Sequence, residues 1–189
     1  RAPSMKLWHS LTIFSVFILS CSHTPQAAFD HYLDHLKSGK AEPYKELTLN
    51  GQPMPFLVGP PIKARDDLFR MIVSKARIET LSFSKGEDRV IYKVKIHTLD
   101  TEKLLAQTLM HVAVMQRVAV TPVPPEQMEA IPFIEMYRLA LLPDAPKKTL
   151  LSEIHVVKKD AKWVVEPPPA FIGALFGFEG PDAPPAVTQ

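Results

Sequence analysis

The stretch Arg89-Val90-Ile91-Tyr92-Lys93-Val94-Lys95-Ile96-His97-Thr98 decides the fold class. Val90, Tyr92, Val94 and Ile96 alternate with Arg89, Lys93, Lys95 and His97. Successive side chains of a strand point to opposite faces, so this pattern describes a strand with one face buried and one wet. On the amino-terminal side, Arg77 to Ser84 reads as a partner strand, joined by the turn Lys85-Gly86-Glu87-Asp88. On the carboxy-terminal side, Asp100-Thr101-Glu102 turns the chain again. Leu104 to Val120 then carries Met110, Val112, Val114, Val118 and Val120 at even spacing, and reads as a long strand.

Further along, Phe133 to Leu142 fits two periods. Phe133, Met136, Tyr137 and Leu141 suit a helix, but Pro143-Asp144-Ala145-Pro146 has the composition of a hairpin turn into Leu150 to Val157, which favours a strand. Lys159-Asp160-Ala161-Lys162 turns into Trp163-Val164-Val165. Upstream of the strands the period is helical. Phe29, Tyr32, Leu33 and Leu36 share one face of a helix over 27–38, ended by Gly39. Leu68, Phe69, Ile72 and Val73 do the same over 64–75, and residues 43–49 offer one more helical turn. The expected fold is therefore α+β, with amino-terminal helices on an antiparallel sheet of about six strands.

Nineteen prolines against seven glycines cluster at 53–61, 122–132, 143–146, 167–169 and 181–185, between the apolar segments, and read as rigid connections and a tail. No internal repeat is evident. The organisation expected is a leader over 1–20, a tether over 21–26, one domain over 27–166 and a Pro-rich tail over 167–189.

The leader is the clearest pointer to location. Met5-Lys6 opens it, Leu7 to Leu19 is a mostly apolar run of 13 residues, and Ser20 precedes Cys21, the only cysteine. These are the parts of a secretory signal peptide, and the run falls short of the about 20 residues a spanning helix needs. Arg1 to Ser4 lie upstream of Met5 and are set aside. The ending Ile18-Leu19-Ser20-Cys21 resembles the lipobox of bacterial lipoproteins. That resemblance implies lipidation of Cys21, cleavage before it, a membrane anchor, and a domain in the periplasm. Ser22, rather than aspartate, implies the outer membrane under the enteric sorting rule.

A second resemblance is to the nuclear-transport-factor-two-like, or cystatin-like, superfamily. It rests on the helix ending Leu36-Lys37-Ser38-Gly39-Lys40, the Tyr44 to Leu47 turn, and the closing hairpin Ile154 to Val165 with its Lys-Asp-Ala-Lys-Trp turn. It implies a curved, cone-like sheet over 27–166 that either holds a small ligand or is filled.

Chemical motifs are sparse. Of 22 basic residues, Arg1 and Lys6 lie before Cys21, which leaves 20 to balance all 20 acidic ones. A neutral chain has no bulk attraction to nucleic acid. His31 and His35 are four apart with no third ligand, so no metal site and no cofactor is expected. His97 and His111 are placed to face each other if a hairpin joins them. Asp34 and His97 are the nearest approach to an acid or base for isomerase-like chemistry, and no catalytic residue is assigned. No nucleophile elbow or phosphate-binding glycine loop is present. The run Ala170 to Phe178 carries Phe171, Ile172, Leu175, Phe176 and Phe178. Such a run packs on its own domain, on a partner or on the membrane, its own domain being favoured, and its five large side chains are the candidate partner contacts. The expected function is a non-enzymatic, lipid-anchored binding or structural subunit of an envelope assembly. The alternative is a carrier or isomerase-like enzyme using the sheet's concavity.

Overall fold

The structure is a computed structural model that describes residues 24–38, 48–49, 62–118 and 128–179. The expected leader, Cys21, most of the turn expected over 43–49, the proline cluster at 53–61 and the end of the tail lie outside the described residues. In chain order the elements are α1 (Pro25–Ser38), α2 (Lys63–Lys75), β1 (Arg77–Lys85), β2 (Arg89–Leu99), α3 (Thr101–Val118), α4 (Ile131–Ala140), β3 (Lys147–Lys159), β4 (Lys162–Glu166) and α5 (Pro169–Leu175). The class is α+β. The four strands form one open antiparallel sheet in the order β1-β2-β3-β4.

β2 is central, as its alternation predicts. Val90, Tyr92, Val94 and Ile96 are all at most 3% exposed. They stand opposite Val156, Ile154, Ser152 and Leu150 of β3, so the inner faces of both strands are in register. Helices α1, α2 and α5 cover that face. Phe29 of α1 stacks on Tyr92 at 4.6 Å between ring centroids, Tyr32 meets Phe171 of α5 at 6.4 Å, and Phe69 of α2 meets Phe176 edge-on at 5.2 Å. The opposite face carries Lys93, Lys95, Glu153 and His155, and stays partly or fully wet.

Local chemistry sets the boundaries. Thr24 Oγ1 accepts a hydrogen bond from the Ala27 amide at 3.1 Å, and Pro25 occupies the first helical position, so α1 begins inside the expected tether. Thr48 makes a parallel bridge to Val165, and the Leu49 amide donates to Val165 O at 2.9 Å, so these two residues extend the sheet beside β4. Asp160 and Ala161 take positive φ, 48° and 65°, in the two-residue turn between β3 and β4, the mirror-image turn that matches strand twist.

Two expected strands are helices, which is why the sheet has four strands and not about six. Asp100 is a helix cap rather than a turn residue. Its Oδ1 accepts from the Lys103 amide at 3.2 Å, and its carbonyl accepts from Leu104. The Leu104-Leu105-Ala106-Gln107 start of α3 has strong helix propensity, which prevails over the β-branched alternation of Val112, Val114 and Val118. In α4, Pro132 sits in the first turn and Glu135, Met136, Leu139 and Ala140 are buried with helical spacing.

The carboxy-terminal segment packs on its own domain, the placement its composition favours, so most of its large side chains are not free as partner contacts. Phe171 is 0% exposed, Leu175 1% and Phe176 7%, Ile172 packs against the core, and Phe178 is 44% exposed. Thr98 Oγ1 donates to Leu175 O at 2.8 Å, and Thr101 Oγ1 donates to Phe176 O. Gly177, at φ +74°, passes so close to Leu99 that no side chain fits between them. Phe171, Leu175 and Phe176 are therefore core residues, unavailable to a partner, and the packed domain runs past residue 166.

Candidate functional site

The histidines and acids considered from sequence do not converge. His31 and His35 approach each other, Nε2 to Nε2, at 3.1 Å, a hydrogen bond in which one ring's N–H donates to the other ring's nitrogen. Both are half-buried rather than fully solvated. Asp34 is exposed on α1. His97 is on the wet face of the sheet, where Nδ1 lies 2.9 Å from Thr149 Oγ1 and Nε2 lies 3.7 Å from Glu79. His111 does not face His97, because its segment is helical. It lies on α3 and hydrogen-bonds through Nδ1 to Glu135 Oε1 at 2.8 Å. Among the described residues there is no group of three or more histidine, cysteine, aspartate or glutamate side chains placed to hold a metal ion.

Glu135 is one of two buried acids among the described residues, with Asp100, and its chemistry is structural. Arg138, one turn on, donates to it from Nε at 2.9 Å and from a terminal nitrogen at 2.6 Å. Those charge-assisted bonds outweigh the burial that would raise its pKa, His111 adds to them, and the carboxyl is held down at about 2. A carboxylate so held is a poor general acid or base near neutrality. It ties α3 to α4.

That tie matters because α3 has little else to hold it. Its first half is on the core through Thr101, Leu104 and Thr108, all at most 2% exposed. Beyond Thr108 its companion is α4. Leu105, Leu109, Met110, Val114, Met115 and Val118 are 43–71% exposed. On α4 and just before it, Ile134 and Met128 are 57% and 44% exposed. From Leu104 to Val118 the only formally charged side chain is Arg117. Hydrophobic side chains spread over more than one side of a helix belong to a covered helix, and a contiguous apolar surface marks an interaction site. No helix among the described residues is long and apolar enough to cross a membrane.

Beside this arm, between α2 and α4, lies an open groove of about 850 Å³. Met71, Ala130, Ile134 and Tyr137 provide its apolar lining, and Lys37, Lys63, Asp67 and Arg70 its charged rim. Ile134 belongs to both features. Sequence reasoning placed the candidate partner surface at residues 171–178 and missed this one. The available signal was Asp100 ahead of a Leu-, Ala- and Met-rich run with few charges. No protein-family model, curated protein or solved structure matches the chain.

Proposed function

We propose that this protein is a lipid-anchored envelope protein, non-catalytic, that binds another envelope protein through the apolar side of α3 and the adjoining Ile134 of α4. The observation that carries the reading is the set of six large, exposed apolar side chains on α3. Covering a large aliphatic side chain fully is worth about 1.5–3 kcal/mol, so half-covering six of them supplies several kcal/mol toward association. The anchoring half of the proposal rests on Ile18-Leu19-Ser20-Cys21. Thr24, which caps α1, lies only three positions after Cys21, and an extended chain of three steps reaches about 10 Å. A domain so tethered stays at the membrane surface, where its partner must also be. Supporting the non-catalytic part, the buried acids serve the fold: Asp100 caps α3, and Glu135 joins α3 to α4.

The test is a native gel of membranes solubilised in mild detergent, with acyl analysis of the same protein. Wild type is expected to carry lipid on Cys21 and to migrate in a complex. Leu109→Glu with Val114→Glu should leave the fold within about 0.5 kcal/mol of wild type, as exposed substitutions do, yet release the chain from that complex. A wild-type protein that migrates alone, or a complex that survives both charges, would refute the binding surface. An unmodified Cys21 in the membrane-bound protein would refute the anchor.

A further inference from the structure

At the end of the sheet remote from the β1–β2 turn is a second pocket, of about 670 Å³. Its walls come from the start of β1, the end of β2, the first residues of β3 and the chain after α4. Lys75, Arg77, His97, Lys147 and Lys148 all border it, and none of its lining residues is a carboxylate. The neighbouring acids neutralise part of this charge. Arg77 pairs with Glu79 at 2.7 Å, and Lys148 is held by Glu102 and Glu179 at 3.0 and 3.1 Å. Two cations remain. Lys75 donates to the Ala140 carbonyl at 3.2 Å, which uses one of its three protons and none of its charge. Lys147 is exposed and has no carboxylate partner among the described residues. A chain balanced at 20 basic and 20 acidic residues after Cys21 thus gathers two uncompensated ammonium groups at one concavity.

Apart from Thr98 and Thr149, the rest of the wall is apolar. Leu99, Ala140 and Ala145 are buried along it, and Leu141 and Leu142 stand at the rim, 52% and 41% exposed. Cations within a hollow focus the field on one point, and apolar walls strengthen it there. The Thr149 hydroxyl, beside His97, adds a neutral polar group.

We infer that this pocket binds a phosphate group carrying an apolar substituent, the phosphate lying between Lys75 and Lys147 and the substituent lying on Leu141 and Leu142. The site is separate from the apolar arm of α3. The shared chemistry is the phosphate group, available either as the head of an amphiphile or as a free anion.

The probes are octyl phosphate and inorganic phosphate, titrated in the millimolar range into the isotopically labelled soluble domain carrying Cys21→Ser, with amide shifts as the readout. Octyl phosphate should shift the amides of Leu141, Leu142, Lys147 and Thr149. Lys75→Gln combined with Lys147→Gln should weaken that binding about tenfold or more, the loss expected for charge-assisted bonds. Lys93→Gln, on the wet sheet face, should change nothing. Stronger binding of octyl phosphate than of inorganic phosphate supports the amphiphile; equal binding overturns the apolar substituent's place on Leu141 and Leu142. The inference is overturned if neither probe shifts those amides, or if the double variant, shown by its spectrum to be folded, binds as wild type does.

Discussion

Replacing Gly177 by alanine puts the seating of the carboxy-terminal segment to a direct test. Gly177 takes φ +74°, and a Cβ there would fall inside 3.0 Å of the Leu99 carbonyl oxygen and 3.2 Å from the Thr101 amide nitrogen. Both obstacles are backbone, held by the β2–α3 corner, and neither can swing aside. An L-residue in the left-handed region costs about 1–2 kcal/mol. Overfilling a packed site costs about 1–3 kcal/mol more. The reduced freedom of the unfolded alanine chain returns about 0.4–1 kcal/mol. The net loss is about 1–4.5 kcal/mol, which for a domain of this size lowers the melting temperature by about 2–18 °C. Gly173→Ala is the control. Its added Cβ meets Phe178 at 3.6 and 3.9 Å, ordinary contact, and it lies within α5, where alanine is favoured over glycine by about 0.5–1 kcal/mol. Thermal melting followed by circular dichroism, with urea titration of the same samples, reads both variants. Equal melting of Gly177→Ala and wild type would show that residues 171–178 do not pack where described.

Three further expectations follow from the same physics. Val94 is 0% exposed on the central strand, so Val94→Asp should bury an unpaired charge and cost several kcal/mol in a denaturant titration, and an unchanged midpoint would contradict the register of β2. Ala161 is held at φ 65°, so Ala161→Gly should raise stability by up to about 1 kcal/mol, and a lower melting temperature would contradict that turn. Glu135 titrates lower in the folded chain than its ordinary value of 4.5, so its contribution is full above about pH 4.5 and is lost as the pH falls toward about 2. Hydrogen exchange of α3 amides should therefore quicken, relative to those of β2, across that window, and Glu135→Gln should remove the step; exchange independent of pH after correction for the intrinsic rate would contradict the tie.

Much of the sheet is legible in the sequence because its signal is local. In β2 the charged residues mark the wet face and the apolar ones the buried face, with no other period in competition. The turns at Gly86 and at Asp160-Ala161 flank the strands with suitable residues. Helices α1 and α2 are legible for the same reason, their apolar residues recurring at three and four. The arm was misread because α3 is apolar on several sides, so periodicity carries little information and valines at even spacing imitate a strand. The deciding residue, Asp100, caps a helix in the structure but has the composition of a turn in the sequence. The tail is a different case: its apolar run favours packing on its own domain but does not say where. Burial of Phe171 and Leu175 depends on Thr98, Thr101 and Leu99, more than 70 residues away, and on the close approach of Gly177. No pattern local to 167–178 encodes that docking.

If α3 is a binding surface, its exposed apolar side chains are covered by another protein in the envelope. A photo-reactive residue placed at Val114 in the full-length chain, irradiated in intact cells of the native host, tests this most directly. One adduct of discrete mass is expected from Val114, lost when Leu109→Glu is added, and none from the same residue placed at Lys93 on the wet face of the sheet. Adducts from Lys93 as abundant as those from Val114, or none from Val114 in protein shown to be membrane-bound, would contradict it.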